Sequence, residues 1–485
     1  MRAGDAGLAC DACRTGRDDV FLRLRPVNVQ TPHDNPDLGV LPPLRRNIAF
    51  GTMIVAIGAV VMDNVAAALA LPTIARHFSV SDAQSIWVVN VYQLVLIICI
   101  LPMAALADKV GYRRVYIAGL ATFAITAMFS ALAPTFGLLV ASRAIQGVAT
   151  ACVMSVNLAL IRTIFPEKRL GSALGMNATA GAIATAAGPS IAGFLIEYAS
   201  WQWIFAIGIP FTATAALVSY FAQPPSPTRD VRLDLLSALL SAMTFGGILM
   251  GISAIGHHWP VAVSLALLAT GLLAGLALVL RLRGVADPLV PIDLLAIPPF
   301  AMSVLASILT FTAQMIAFVS LPFHMQSTLG FSVVDAGLAF SGWPLALACT
   351  APLAGVLADR MSQGLLSGIG LSILTLGLGL LALLDADASL FDVALRLAMC
   401  GVGFALFQTP NNRIMLGSSP RLRAGAASGA LGTARLLGQA LGTALATLAI
   451  TTNVGGNAAF ALWGAAGLAL LGASVSLLRR RFPRT

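Results

Sequence analysis

Between Ile48 and Leu478 the chain runs through fourteen apolar segments, the first near 48–71 and the last near 457–478. Each is about as long as a helix needs to be to cross a bilayer. In hydrocarbon every backbone N–H and C=O requires an internal partner, so such segments must be helices or strands of a closed barrel. The apolar/polar alternation of ten-residue barrel strands is absent. The expected fold class is an all-α integral membrane protein with fourteen transmembrane helices. Composition agrees: of 485 residues 58% are hydrophobic and 10% charged, with a mean hydropathy of +0.88, whereas a soluble domain is about a quarter charged.

Positive charge orients the helices. The net charge is +9 and the isoelectric point about 9.8, but the arginines are scattered over short loops rather than gathered on one aromatic-bearing surface, which argues against nucleic-acid binding. One alternate set of connections holds Lys109, Arg113, Arg114, Lys168, Arg169, Arg229, Arg232, Arg281, Arg283, Arg360, Arg421 and Arg423, and the other holds Arg76 alone. Loops rich in Lys and Arg stay in the cytoplasm. Both termini are then cytoplasmic, in keeping with Arg45 and Arg46 before the first span and Arg479, Arg480 and Arg481 after the last. The expected location is the inner (plasma) membrane.

Residues 1–46 are polar and lack the apolar core of a signal peptide, so they are expected to form a disordered cytoplasmic tail. Cys10 and Cys13 make a C-x-x-C there with no second ligand pair, while Cys99, Cys152, Cys349 and Cys400 sit in apolar runs as packing residues. The phosphate-binding pattern GxxxxGK[ST] is missing, and the histidines lie in the tail or at outward loops and ends, without a Ser-His-Asp or metal-ligand cluster. Neither enzyme activity nor a metal or cofactor is expected.

Internal repetition divides the chain. ALADKVGYRR (105–114) follows helix 2 and GVLADR (355–360) follows helix 10, which is the second of six once helices 7 and 8 are set aside. Two six-helix bundles, 47–222 and 298–482, are expected around an inserted hairpin with linkers, 223–297. Paired repeats place a binding site near the midplane, between halves that rock against each other. In the first loop Gly111 supplies a tight turn, with Asp108 placed to pair with Arg113 or Arg114 or to sit at a helix N-terminus. Gly355, Asp359 and Arg360 form the second copy. Helix 4 carries Arg143, Gln146 and Gly147, and a buried arginine is costly in lipid unless it faces a polar interior. In helix 5, AAGPSIAG (186–193), Pro189 removes a donor and kinks the helix while Gly188 and Ala192 admit a close neighbour. Helix 13 repeats this spacing with Gly425 and Gly429 and with Gly438 and Gly442, so the fifth helices of the two halves are expected to meet.

Together these segments resemble the major facilitator superfamily. The loop follows its motif, with Ala104 and Lys109 for a Gly and an Arg; Arg143, Gln146 and Gly147 follow R-x-x-Q-G. Gly181, Gly188, Pro189 and Gly193 resemble the antiporter motif that marks exporters, with Ala192 replacing one closing glycine. MDNVAAALALP (62–72), WVVNVYQL (87–94) and WQWIFAIGIP (201–210) resemble the fourteen-helix drug:proton antiporter branch, EmrB/QacA-like and of the methyl viologen and quaternary ammonium resistance type. Asp63, Ala70, Leu71 and Pro72 are kept, whereas Val65, Ala68, Asn90, Gln202 and Gly208 depart from it. The resemblance spans most of residues 50–480 and implies the major facilitator fold.

Asp63 is the only acid placed well inside a span. An ionised carboxylate is expensive there, which suits it to taking up and releasing a proton. The resemblance implies that Arg143 approaches Asp63; a purely structural pair joining helices 1 and 4 is the alternative. Candidate cavity residues are Trp87, Asn90, Gln93, Gln146, Gln314, Trp343, Gln408, Asn411 and Arg435. The expectation is a proton-coupled antiporter, acting as a monomer, that exports small lipophilic cations such as biocides. Export of an endogenous metabolite and a non-transporting membrane sensor are the alternatives.

Overall fold

The computed structural model describes residues 42–226, 234–256, 259–282, 292–385, 387–418, 424–451 and 459–479. Cys10, Cys13, the tail up to residue 41 and the loop arginines Arg229, Arg232, Arg283, Arg421 and Arg423 lie outside the described residues, as do Arg480 and Arg481. Fourteen helices long and apolar enough to span a membrane follow in order. The first bundle is α1 (Pro43–Phe78), α2 (Asp82–Val110), α3 (Tyr112–Ala131), α4 (Phe136–Ile164), α5 (Glu167–Tyr198) and α6 (Trp203–Ala222). α7 (Leu235–Gly256) and α8 (Val261–Leu282) form the insert. The second bundle is α9 (Pro298–Thr328), α10 (Val333–Arg360), α11 (Gln363–Ala382), α12 (Leu390–Gly417), α13 (Ala424–Thr451) and α14 (Ala459–Leu478). No strand occurs among the described residues.

α1 corrects the expected tail boundary at residue 46: its first turn begins at Pro43, where a fixed φ favours helix and the missing N–H is not needed. It also continues through Pro72 to Phe78. A proline inside a span is tolerated where neighbours serve the disturbed carbonyls, and Gln326 Nε2 of α9 donates to Leu69 O at 3.3 Å.

Within the bundles α1 lies on α5 and α6, α4 on α2 and α3, α9 on α13 and α14, and α12 on α10 and α11. In the insert a Cβ on Gly247 would stand 2.7 Å from Gly271 Cα, so α7 and α8 cross backbone to backbone. Asp234, just before α7, accepts from the Ser237 amide at 3.0 Å and from Arg281 Nη2 at 3.1 Å. The Ser237 hydroxyl and amide, with Arg281 adding to them, hold the Asp234 carboxyl below the usual carboxylate range.

Contacts between bundles are reciprocal: α5 lies on α10, α13 on α2, and α1 on α9. Among the described residues the fifth helices therefore pack on the second helix of the other bundle rather than chiefly on one another, which corrects the expectation. The glycines show why. A Cβ on Gly193 would stand 2.8 Å from Val333 O, and one on Gly337 2.5 Å from Pro189 O, so α5 and α10 are in backbone contact. Gly438 and Gly442 instead face α9 in their own bundle, 2.7 Å from Ile308 O and 2.6 Å from Thr312 O by the same measure. Gly188 meets Val65 of α1 at 3.5 Å, and Gly181 faces open space.

The two ends of the molecule differ. Away from the basic loops one apolar core joins both bundles, packing Leu71, Ile74 and Phe205 with Val319, Leu321 and Phe340. Arg76 Nη2 reaches Gln326 Oε1 at 3.4 Å, and the Ser190 and Ser341 hydroxyls are hydrogen-bonded, both at this end. At the basic end the cores are separate: Phe50, Tyr116 and Leu160 belong to one, Phe300 and Met415 to another, Ala358 and Leu366 to a third. The described bundles thus share one apolar core at one end and keep separate cores at the other.

Candidate functional site

The site is built where α4 meets α1 and α2. A Cβ on Gly147 would stand 2.8 Å from Tyr92 O, so the glycine of R-x-x-Q-G is what brings α4 against the α2 backbone. One turn away, Arg143 is fully buried and Asp63 is 3% exposed. Arg143 Nη1 donates to Asp63 Oδ2 at 2.6 Å and to Gln146 Oε1 at 2.8 Å, while Nε donates to Val88 O at 3.2 Å. Gln146 Nε2 donates to Asp63 Oδ1 at 3.3 Å, so each carboxylate oxygen has a donor. The guanidinium lies 4.4 Å from the Tyr92 ring centroid and 5.2 Å from that of Phe205, and Tyr92 donates its hydroxyl proton to Thr150 at 3.0 Å. Arg143 Nη2 is buried without a hydrogen-bond partner. Asp63 lies about 30 Å along α1 from Pro43 at a 1.5 Å rise, under the end where the bundles share one core. Burial of an ion pair is costly unless the remaining donors and acceptors are also served, and here Gln146 and Val88 serve all but Arg143 Nη2.

Tyr92, Thr150 and Phe205 complete this network but were not among the sequence candidates. Nothing local marks them, because an aromatic or a threonine in an apolar run is ordinary.

The loop motif makes contacts other than those expected. Gly111 turns at φ 101°, a conformation that favours glycine. Asp108, however, accepts from the Tyr112 hydroxyl at 2.6 Å, and no ion pair to Arg113 or Arg114 is present among the described residues. Arg113 reaches Tyr220 O at the end of α6 and lies over the Tyr220 ring, and its amide donates to Ser226 at 3.0 Å; Arg114 is exposed. In the second copy Asp359 pairs with Arg413 of α12, while Arg360 is exposed and Gly355 has open space around it. Tyr112 at the start of α3, Tyr220 near the end of α6 and Arg413 of α12 thus serve Asp108, Arg113 and Asp359.

The cavity candidates separate into groups. Gln146 belongs to the Asp63 network. Gln93 Nε2 donates to Asn64 Oδ1 at 3.3 Å beside it, and Trp87 is half-buried on the same helix. Asn90 is turned to the insert and donates to Ser253 Oγ at 2.8 Å. Trp343 is fully buried in an aromatic group with Phe318 and Phe404. Gln314 is 9% exposed and Gln408 half-buried. Arg435, midway along α13, is half-buried with its guanidinium 5.8 Å from the Phe311 ring centroid.

Asn411 is committed to structure. Its Oδ1 accepts from Arg479 Nη1 at 2.8 Å and its Nδ2 donates to Ser307 at 2.8 Å. Arg479, counted from sequence as a topological charge, is 3% exposed and also donates to Ser303 and Ser367, because the end of α14 turns it inward. Burial pushes its pKa down to about 10.

Three comparisons place this arrangement among known proteins. The Major Facilitator Superfamily profile matches residues 48–282 and 303–485. An uncharacterized transporter of Escherichia coli (strain K12), YebQ, is 42% identical over 447 residues, 92% of this chain and 98% of its own. The multidrug efflux pump LfrA of Mycolicibacterium smegmatis is 31% identical over 413 residues, 83% of this chain and 80% of its own. The crystal structure of a POT family transporter in complex with a thioalcohol-conjugated peptide shares the fold, with a TM-score of 0.70 at 12% identity over 90% of this chain and 96% of that one.

Proposed function

Because the chain belongs to the Major Facilitator Superfamily, and so is a multi-pass membrane transporter and not an enzyme, we propose that it is a proton-coupled antiporter of the fourteen-helix drug-export branch. The observation that carries this is the Asp63–Arg143–Gln146 network. Asp63 is the only acid among the described residues that lies away from a helix end, and its single ion pair is to an arginine on another helix. A proton delivered to Asp63 Oδ2 removes the charge that holds Arg143; the guanidinium keeps Gln146 and Val88 and is released from α1. Loss of the proton restores the pair. Proton transfer at one carboxylate is thereby tied to how firmly α1 and α4 are joined, and α1 also lies on α9 across the bundle interface.

With the basic end taken as cytoplasmic, the bundles are two six-helix bodies rocking about the α7–α8 insert, and the structure is the state open to the cytoplasm. Cargo enters from that side. The multidrug pump among the relatives supports small lipophilic compounds as the substrate class.

The test is Asp63→Asn in everted membrane vesicles, following pH-gradient-driven uptake of ethidium and of a radiolabelled naphthalenesulfonate. The substitution is expected to stop gradient-driven uptake of whichever probe the wild type carries while the protein stays folded. Undiminished uptake by the variant removes Asp63 from the coupling.

A further inference from the structure

We infer that the transport path selects cargo carrying an anionic group, a sulfonate or carboxylate on an aromatic body, through Arg435. The inference rests on the transporter reading above and concerns the charge of what the path accepts.

Four ion pairs are present among the described residues: Arg143–Asp63, Arg281–Asp234, Arg396–Asp392 and Arg413–Asp359. Arg435 is in none of them, and its one described interaction is with the Phe311 ring. It is not turned to lipid. Phe311 is itself buried, and Gly438, one turn further along α13, packs against the α9 backbone at Ile308. α13 also lies on α2 and α7, which carry no acid outside their terminal turns. The one carboxylate in mid-span, Asp63, is already neutralised by Arg143 at 2.6 Å. Among the described residues the mid-span charges outside the Arg396–Asp392 pair are therefore Asp63, Arg143 and Arg435, one more positive than negative.

An ionisable group at this depth is costly without a partner, and the chain supplies none. The geometry suits a partner from outside. A guanidinium lying over an aromatic ring keeps its N–H edges free, and those edges match the two oxygens of a sulfonate or carboxylate. Phe311 is buried edge-to-face against Phe404 at 5.4 Å, so the charge is set in apolar, aromatic surroundings. A lipophilic cation would meet a like charge. This reverses the expectation, drawn from the resemblance, that the cargo is cationic.

The test uses the full-length protein in nanodiscs and equilibrium binding of a radiolabelled naphthalenesulfonate, with ethidium as competitor. Saturable sulfonate binding that ethidium competes for poorly is expected. Arg435→Gln should weaken it at least about tenfold, the loss of a charge-assisted bond, and Arg435→Lys should restore much of it. Absence of saturable sulfonate binding to the wild type overturns the inference, as does tighter binding of ethidium. So does unchanged sulfonate affinity in a folded Arg435→Gln protein; the wild-type comparison decides the matter if that variant does not fold. Selective ethidium transport that still depends on Asp63 would sink the anion reading and leave the antiporter intact. Arg435-dependent sulfonate binding without gradient-driven transport would do the reverse.

Discussion

Gly337→Ala should push the equilibrium away from the state described here. A Cβ at this position would stand 2.5 Å from Pro189 O and 3.3 Å from Gly193 Cα, where ordinary contact begins at 3.4 Å. Both obstacles are backbone, so no side chain can swing aside. α5 and α10 would have to separate by close to an ångström, and the separation falls on the interface that closes one end of the molecule. Overpacking of this kind costs about 1–3 kcal/mol. A conformation in which α5 and α10 have already parted does not bear that cost, so the populations should shift about 5- to 150-fold. Cysteines placed at Ser190 and Ser341, whose hydroxyls are hydrogen-bonded across the same interface, report closure by oxidative cross-linking. The cross-linking rate should fall in the Gly337→Ala background by a factor in that range. An unchanged rate in a folded protein would refute the claim that backbone contact at Gly337 holds this end shut.

Three further outcomes follow from the packing. Asn90→Ala removes the bond to Ser253 that ties α2 to the insert, and should destabilise the protein in detergent by about 0.6–1.7 kcal/mol, the range for hydrogen bonds between membrane helices, read as a lowered midpoint of thermal unfolding. Asn411→Leu takes an acceptor from buried Arg479 and should cost about 1.5–3 kcal/mol, while Arg413→Ala, at an exposed pair, should cost about 1 kcal/mol or less. The low pKa of Asp234 predicts a pH dependence: the folded carboxyl binds its proton less readily than the unfolded one, so its stabilisation is present above the ordinary carboxylate value of 3.8 and is lost as pH falls through the lower folded value. Asp234→Asn should remove that part of the acid-induced drop in melting temperature between neutral pH and pH 3.

How far the sequence could be read depended on whether the bilayer or tertiary contact imposed the constraint. Fourteen spans were legible because hydrocarbon admits only one solution for twenty apolar residues, and Asp63 stood out because a mid-span acid has no cheap explanation. Gly193 and Gly438 announced close approach, but glycine spacing gives the face and not the neighbour. Only the packing seen in the structure, of α5 on α10 at Gly193 and of α13 on α9 at Gly438, assigns it. Arg479 was hidden by its place after Leu478, where an arginine ordinarily marks topology; whether it turns to water or into the bundle depends on Asn411, Ser303 and Ser367, which come from three other helices. Of the two places expected for Asp108, the pairing with Arg113 or Arg114 is not the one seen among the described residues, since Tyr112 begins the next helix one turn away and takes the carboxylate.

The insert bears on how the bundles can move. α7 lies against α2 of one bundle and α13 of the other, but the two faces are unlike. Toward α2 it is pinned by the Asn90–Ser253 bond, whereas toward α13 it presents Phe245 and Leu249 to Leu436 and Ala440, a contact of hydrocarbon alone. If the bundles rock as proposed, the hairpin should travel with the first and let the second slide past it, as a greased bearing carried on one of two moving parts.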